Sequence, residues 1–128
     1  MNTNAEGTEY PDVVFEVSTE RVEAFRAVFG EERDIVPPTF LTAAEFAAFP
    51  AVIADPELDL DFSRVVHGEQ EYEWRRQPRV GETLTARSHI ASAKVRGSLG
   101  FLTIETELRG VDEETVAVCR ATMIERGE

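Results

Sequence analysis

Residues 37–49, PPTFLTAAEFAAF, decide how the rest of the chain must fold. From Thr39 to Phe49 the apolar residues are Phe40, Leu41, Ala43, Ala44, Phe46, Ala47, Ala48 and Phe49, and Glu45 is the only charge. A helix lying on a surface shows one apolar stripe, whereas a helix apolar nearly all round needs protein on most of its sides. Pro37 and Pro38 set extended geometry ahead of the segment, and Pro50 is expected to close it. Thr39 or Thr42 can cap its start, and Thr42 and Glu45 stand at capping-box spacing. The alanines between bulky Phe side chains let another backbone approach closely. The segment predicts a buried helix of about three turns.

Working outward, the residues after this helix change period. Between Arg64 and Gln77, Val66, Gln70, Tyr72 and Trp74 alternate with Glu69, Glu71, Glu73 and Arg75, the period-2 pattern of a half-buried strand. Gly68 interrupts it, as at a bulge or a close approach. Further strands are predicted over Thr83–Val95, Phe101–Arg109 and Thr115–Glu125, separated by turns at Pro78–Glu82, Arg96–Gly100 and Gly110–Glu114. Upstream, Val13–Val17 reads as a short strand or extended lead-in. A helix then begins at Ser18 or Thr19, carries Val22, Phe25, Val28 and Phe29 on one face, and stops at Gly30. One apolar helix followed by four long antiparallel strands gives the class α+β, with the sheet wrapped around the helix. Residues 1–10, MNTNAEGTEY, read as a flexible polar terminus and 11–128 as a single domain.

Composition narrows the function. The 128 residues are 42% hydrophobic and 30% charged, with a net charge of −12. That charge opposes nucleic acid or an anionic membrane as partner. No stretch is long and apolar enough for a membrane span, and the first ten residues lack the basic and apolar parts of a signal peptide, so a cytoplasmic location is the expectation. Cys119 is the only cysteine, which rules out an intrachain disulfide and a cysteine metal cluster. Two histidines, His67 and His89, make no metal motif.

At Pro37-Pro38-Thr39-Phe40, and again along His67-Gly68-Glu69-Gln70, Tyr72, Trp74, Arg76, Pro78 and Gly81-Glu82-Thr83, the chain resembles the MaoC-like hotdog-fold dehydratases. More narrowly it resembles their N-terminal half, the FAS1-like dehydratase domain, with Glu82 where that group usually has Asp. The resemblance spans roughly Val14 to Arg126. It implies a hotdog fold and an acyl thioester of coenzyme A or acyl carrier protein as substrate, with no further cofactor. In such proteins a Gly-Asp-x-Asn-Pro-x-His segment supplies an Asp and a His that move the protons as water is added or removed. Here only Glu31-Glu32-Arg33-Asp34-Ile35-Val36 stands in that place, with no Asn-Pro and no His. The resemblance therefore implies a non-catalytic, acyl-binding half of a 3-hydroxyacyl-thioester dehydratase or enoyl-thioester hydratase. Its chemistry would lie on a partner, in a homodimer or in a heterodimer with a catalytic hotdog subunit. The alternatives are an acyl thioesterase of the same superfamily and a non-enzymatic acyl-binding protein.

Three residues are candidates for chemistry. Asp34 is a carboxylate in the shortened loop. His67, by simple strand parity, sits with Val65 and Glu69 rather than with Tyr72 and Trp74, unless a bulge at Gly68 reverses it. Glu45 reads as a capping or exposed residue, or as the water-activating carboxylate that a thioesterase requires. Pro38, Thr39, Phe40 and Phe46 are the expected acyl-contacting residues. Arg76 and Arg79, in the one dense basic cluster, are the expected phosphate contacts or else partners of the many acids. Cys119 alternates with Ala117 and Ala121 as a small buried hydrophobe.

Overall fold

A computed structural model of the chain describes residues 1–127; Glu128, the last residue of the expected domain, lies outside the described residues. Five antiparallel strands form one sheet: β1 (Val13–Glu16), β2 (Val65–Trp74), β3 (Thr83–Arg96), β4 (Leu99–Arg109) and β5 (Thr115–Arg126). Their order across the sheet is β1-β3-β4-β5-β2. Helix α1 (Thr19–Phe29) follows β1, and helix α2 (Thr42–Ile53) lies in the sheet's concave face against β1, β3 and β4. This is the helix wrapped by a sheet that the apolar helix and alternating strands predict, and the hotdog fold that the resemblance implies.

Helix α2 is entered through a 3-10 turn, Pro38–Leu41, so the α-helix starts later than the sequence suggests. It also runs through Pro50 to Ile53 instead of stopping before it, which corrects the expected end. Pro50 removes one backbone donor and an interior proline costs about 3 kcal/mol. Continuing the turn buries Val52 completely and keeps Phe49 in the core, and each such burial stabilises by roughly 1.5–3 kcal/mol, enough to carry the helix past the proline. The buried residues Leu41, Ala44, Glu45, Ala48, Phe49 and Val52 fall at i, i+3, i+4, i+7, i+8 and i+11, the spacing of one helix face. Phe46 and Ile53 point away from that face and are 40% and 37% exposed, so α2 is covered on most sides but not all.

Helix α1 begins at Ser18, whose hydroxyl accepts from the Arg21 N–H at 3.3 Å, and ends at Gly30 in the left-handed region at φ 66°. Val22 is buried and Phe25 packs on the core, but Val28 and Phe29 are exposed. The expected apolar face of α1 is thus only half used, its last turn leaving Val28 and Phe29 to solvent. Phe40 joins Phe15 and Phe25 in an aromatic cluster at ring separations of 6.1 and 5.6 Å.

Residues 1–10 pack against the domain. Gly7 and Tyr10 donate backbone hydrogen bonds to the Ile90 and Ser88 carbonyls, and Ala5 and Tyr10 are buried. The Tyr10 hydroxyl donates to Asp55 at 2.8 Å, and the Met1 amino group lies 3.3 Å from the Glu125 carboxylate. Backbone pairing to β3 holds a segment whose polarity alone suggested disorder.

Candidate functional site

Between α2 and β2 lies a polar cluster inside an otherwise apolar core. Glu45 is completely buried, and both of its carboxylate oxygens accept from the Gln70 Nε2 at 3.1 and 2.9 Å. No cation pairs with it among the described residues. Removal from water raises its pKa from 4.5 to about 7, against the opposing effect of the Gln70 hydrogen bond. Gln70 Oε1 is buried and has no hydrogen-bond partner among the described residues. One turn earlier on α2, the Thr42 hydroxyl is hydrogen-bonded to the Tyr72 hydroxyl. Cys119 sits opposite Tyr72 on β5, and burial first, then the nearby Glu45, pushes its thiol well above the ordinary range. The expectation of Glu45 as a capping or exposed residue is corrected: it occupies the centre of the buried stripe. That position was readable, since Glu45 stands one helical turn from both Leu41 and Phe49. Gln70 was the partner that sequence reasoning missed, although its parity with Tyr72 and Trp74 placed it on the helix-facing side.

Beyond this cluster an apolar groove of about 340 Å³ opens between the end of α2 and the start of β2. Phe46, Phe49, Pro50 and Ile53 line one wall and Phe62, Val65, His67 and Met123 the other. His67 reaches it because the β2–β5 register slips between His67 and Glu69, a bulge that reverses the simple parity. Gly68 sits at the slip. A Cβ there would meet Ile124 Cδ1 at 2.6 Å. The His67 ring packs against Phe46 at 6.0 Å and its Nε2 lies 3.1 Å from the Glu69 carbonyl. No carboxylate is within ion-pairing reach of it among the described residues.

At the other end of β2, Val36, Pro38, Trp74, Arg75, Arg76, Gln77 and Pro78 line a second groove of about 310 Å³. Arg76 is held by Glu82 at 3.0 Å and Glu114 at 2.6 Å, which explains what the glutamate of the Gly-Glu-Thr turn does here. Arg79 lines a neighbouring groove with Gly81, Glu82, Thr83 and Val111. Thr39 is exposed at the 3-10 turn, whereas Phe40 is core and reaches neither groove.

The remaining candidates stay apart. Asp34 is fully exposed, 3.6 Å from Arg26, and Glu31 is clamped by Arg33 at 2.7 Å, which holds its pKa down at about 2. His67 and Asp34 line no common groove. His89 faces solvent beside Glu105 at 3.9 Å. Among the described residues no group of three or more His, Cys, Asp or Glu side chains could hold a metal ion, and no helix is long and apolar enough to cross a membrane.

Comparison with known proteins agrees with this geometry. The family model for the FAS1-like dehydratase domain region matches residues 9–119. A UPF0336 protein of Saccharopolyspora erythraea is 33% identical over 138 aligned residues, covering 94% of this chain and 88% of that protein. Among solved structures, the C-terminally truncated HadBC (3R-hydroxyacyl-ACP dehydratase) complex of Mycobacterium tuberculosis superposes with a TM-score of 0.75 at 20% identity, over 97% of this chain and 99% of that one. The MaoC-like dehydratase of Rhodospirillum rubrum does so with a TM-score of 0.67 at 14% identity, over 97% and 94%. With a five-stranded hotdog sheet around α2 and a family match across most of its length, the chain belongs to the FAS1-like dehydratase domain family.

Proposed function

We propose that this chain is the acyl-binding half of a 3-hydroxyacyl-thioester dehydratase, or enoyl-thioester hydratase, whose proton transfers are carried out by a partner subunit. One observation carries the reading: the segment after α1 that would hold an Asp–His pair has no histidine, and of its carboxylates Glu32 and Asp34 face solvent while Glu31 is clamped by arginine. Adding water across an enoyl thioester needs one group to deliver a proton at the α carbon and another to activate the water at the β carbon. His67 and Asp34 are not placed to share that work. What the chain offers instead is an apolar groove of about 340 Å³, large enough for part of an acyl chain, with Phe46, Phe49, Pro50 and Ile53 along it. At the far end of β2, Pro38 and Trp74 beside Arg75 suit the polar handle of a thioester, with Arg79 in the adjoining groove, whereas Arg76 is committed to Glu82 and Glu114. The substrate class is therefore an acyl thioester of coenzyme A or carrier protein, with no resident cofactor or metal assigned.

A specific observation favours a second reading, hydrolysis of the thioester. Glu45 is a carboxylate with a pKa near 7, suited to act as a base at neutral pH. Against it, both Glu45 oxygens are occupied by Gln70, and neither groove reaches them. The discriminating experiment incubates the purified chain with a trans-2-enoyl thioester, alone and with a hotdog protein carrying the Gly-Asp-x-Asn-Pro-x-His segment. Hydration only in the mixture supports the first reading. Free thiol released by the chain alone, and lost in Glu45→Gln, would replace it with the second.

A further inference from the structure

The two grooves open at opposite ends of one seam, between helix α2 and strand β2: Trp74 and Pro38 line one, His67 and Phe46 the other. Between them α2 reaches β2 through three side-chain contacts, Thr42 to Tyr72, Glu45 to Gln70 and Phe46 to His67. On the helix these residues fall at i, i+3 and i+4, and on the strand the bulge brings His67 onto the side of Gln70 and Tyr72. The seam from Trp74 to His67 is roughly 20 Å long at about 3.3 Å per strand residue. Beneath it the facing residues of β5 are small: Ala117, Cys119 and Ala121, all buried, stand opposite Trp74, Tyr72 and Gln70. A floor of small side chains thus runs from one groove toward the other, and the three contacts cross above it.

These contacts do not yield equally. Phe46 is half-exposed, so its ring has solvent to turn into, and Thr42 and Tyr72 are neutral hydroxyls whose separation leaves no charge behind. Glu45 is different. It is completely buried, both of its oxygens accept from Gln70, and no cation pairs with it among the described residues. An acyl chain passing between α2 and β2 must part Glu45 from Gln70 and leave a buried carboxyl without its hydrogen bonds. Burial of one methylene is a small gain beside that cost, so several carbons must lie beyond the pair before passage is favourable. From Trp74 to Gln70 the strand advances about 13 Å, which is the depth a chain gains before it meets the pair.

We propose that the Glu45–Gln70 pair divides the acyl path and sets the chain-length selectivity of this protein. Short acyl chains stop before the pair, and only a chain long enough to fill the groove beside Phe46 displaces Gln70. The inference rests on the acyl-binding reading above and adds to it which residues decide the length of the acyl group. The probes are butanoyl-, octanoyl- and dodecanoyl-coenzyme A, titrated into the purified chain below their micelle-forming concentrations. Fluorescence of Trp74, the only tryptophan, reports occupancy of its groove, and calorimetry gives the affinity. Glu45→Ala removes the carboxyl and opens the pair, whereas Glu45→Gln keeps its shape and its hydrogen bond to Gln70.

Glu45→Ala should raise the affinity for dodecanoyl-coenzyme A at least about tenfold and leave that for butanoyl-coenzyme A within about twofold. Glu45→Gln, which keeps the obstruction, should gain less than Glu45→Ala at the long chain. A purely structural role for Glu45 would shift all three lengths together, and that result would overturn the proposal, as would an unchanged affinity for the long chain. Absence of binding at every length, in wild type and variants alike, would overturn it together with the acyl-binding reading, so the two failures are distinguishable. Should Glu45→Ala fail to fold, Gln70→Ala on the partly exposed strand removes the other half of the pair. Its ratio of long-chain to short-chain affinity must likewise rise above that of wild type, and an unchanged ratio counts against the barrier.

Discussion

Replacing Glu45 by Gln tests the buried carboxylate directly, because the substitution keeps the shape and removes the charge. In the folded chain Glu45 has a pKa of about 7, against 4.5 when solvated. Since the folded value is the higher one, the stability linked to this group is complete below about pH 4.5 and is lost as pH rises through 7. The difference corresponds to roughly 3 kcal/mol, of which about 2.5 kcal/mol falls between pH 5 and pH 8. The glutamine variant carries no such penalty. Its new amide could also donate to the unpartnered Gln70 Oε1 while accepting from Gln70 Nε2, closing a reciprocal pair. Urea unfolding of both proteins at pH 5 and pH 8 isolates the effect, because every other carboxylate titrates in both. The variant's advantage should grow by about 2.5 kcal/mol from the lower pH to the higher. An advantage that stays constant with pH, or a variant less stable at pH 8, would mean that Glu45 reaches water or a cation in solution.

Other substitutions separate core from groove. Phe40→Ala should cost about 3–5 kcal/mol, as for a buried aromatic, whereas Phe46→Ala should cost only about 1–2 kcal/mol because its ring lies partly on the groove wall. Equal losses in urea unfolding would contradict that difference. Cys119, the only thiol, should resist iodoacetamide in native buffer and react fully in denaturant; rapid native labelling would mean that the seam between α2 and β5 is open. Gly68→Ala should cost no more than about 1 kcal/mol, since Gly68 has no positive φ and the atom its Cβ would meet, Ile124 Cδ1, is the tip of a half-buried side chain that can turn away. A larger loss would show that Ile124 is held in place.

Much of this was legible in the sequence, where pattern and packing coincide. The apolar run around Phe40 to Phe49 located the central helix, and period-2 alternation located β2 to β5, because both reflect burial directly. Pro50 misled because a propensity worth a few kcal/mol yielded to the burial of Phe49 and Val52, which local sequence does not reveal. The first ten residues misled for a related reason: their polarity is real, but backbone pairing to β3 needs no apolar side chains. His67 depended on a one-residue bulge, and period-2 counting cannot say on which side of a bulge a residue falls. Phe40 and Phe46 were assigned the same role, yet their places along the helix separate core from groove. Glu45 was misjudged because buried carboxylates are rare, even though its spacing within the stripe pointed inward. The absence of an Asp–His pair after α1, by contrast, was readable at once, since no arrangement of Glu31 to Val36 supplies a histidine.

The division of labour between this chain and a partner is tested most directly by one measurement: the rate at which a trans-2-enoyl thioester is hydrated by the purified chain, with and without a hotdog protein bearing the Gly-Asp-x-Asn-Pro-x-His segment. The account expects no rate above the uncatalysed one from the chain alone. It expects activity in the mixture that survives Asp34→Asn, Glu31→Gln and Cys119→Ala. Hydration by the chain alone, abolished by His67→Ala or Asp34→Asn, would contradict it.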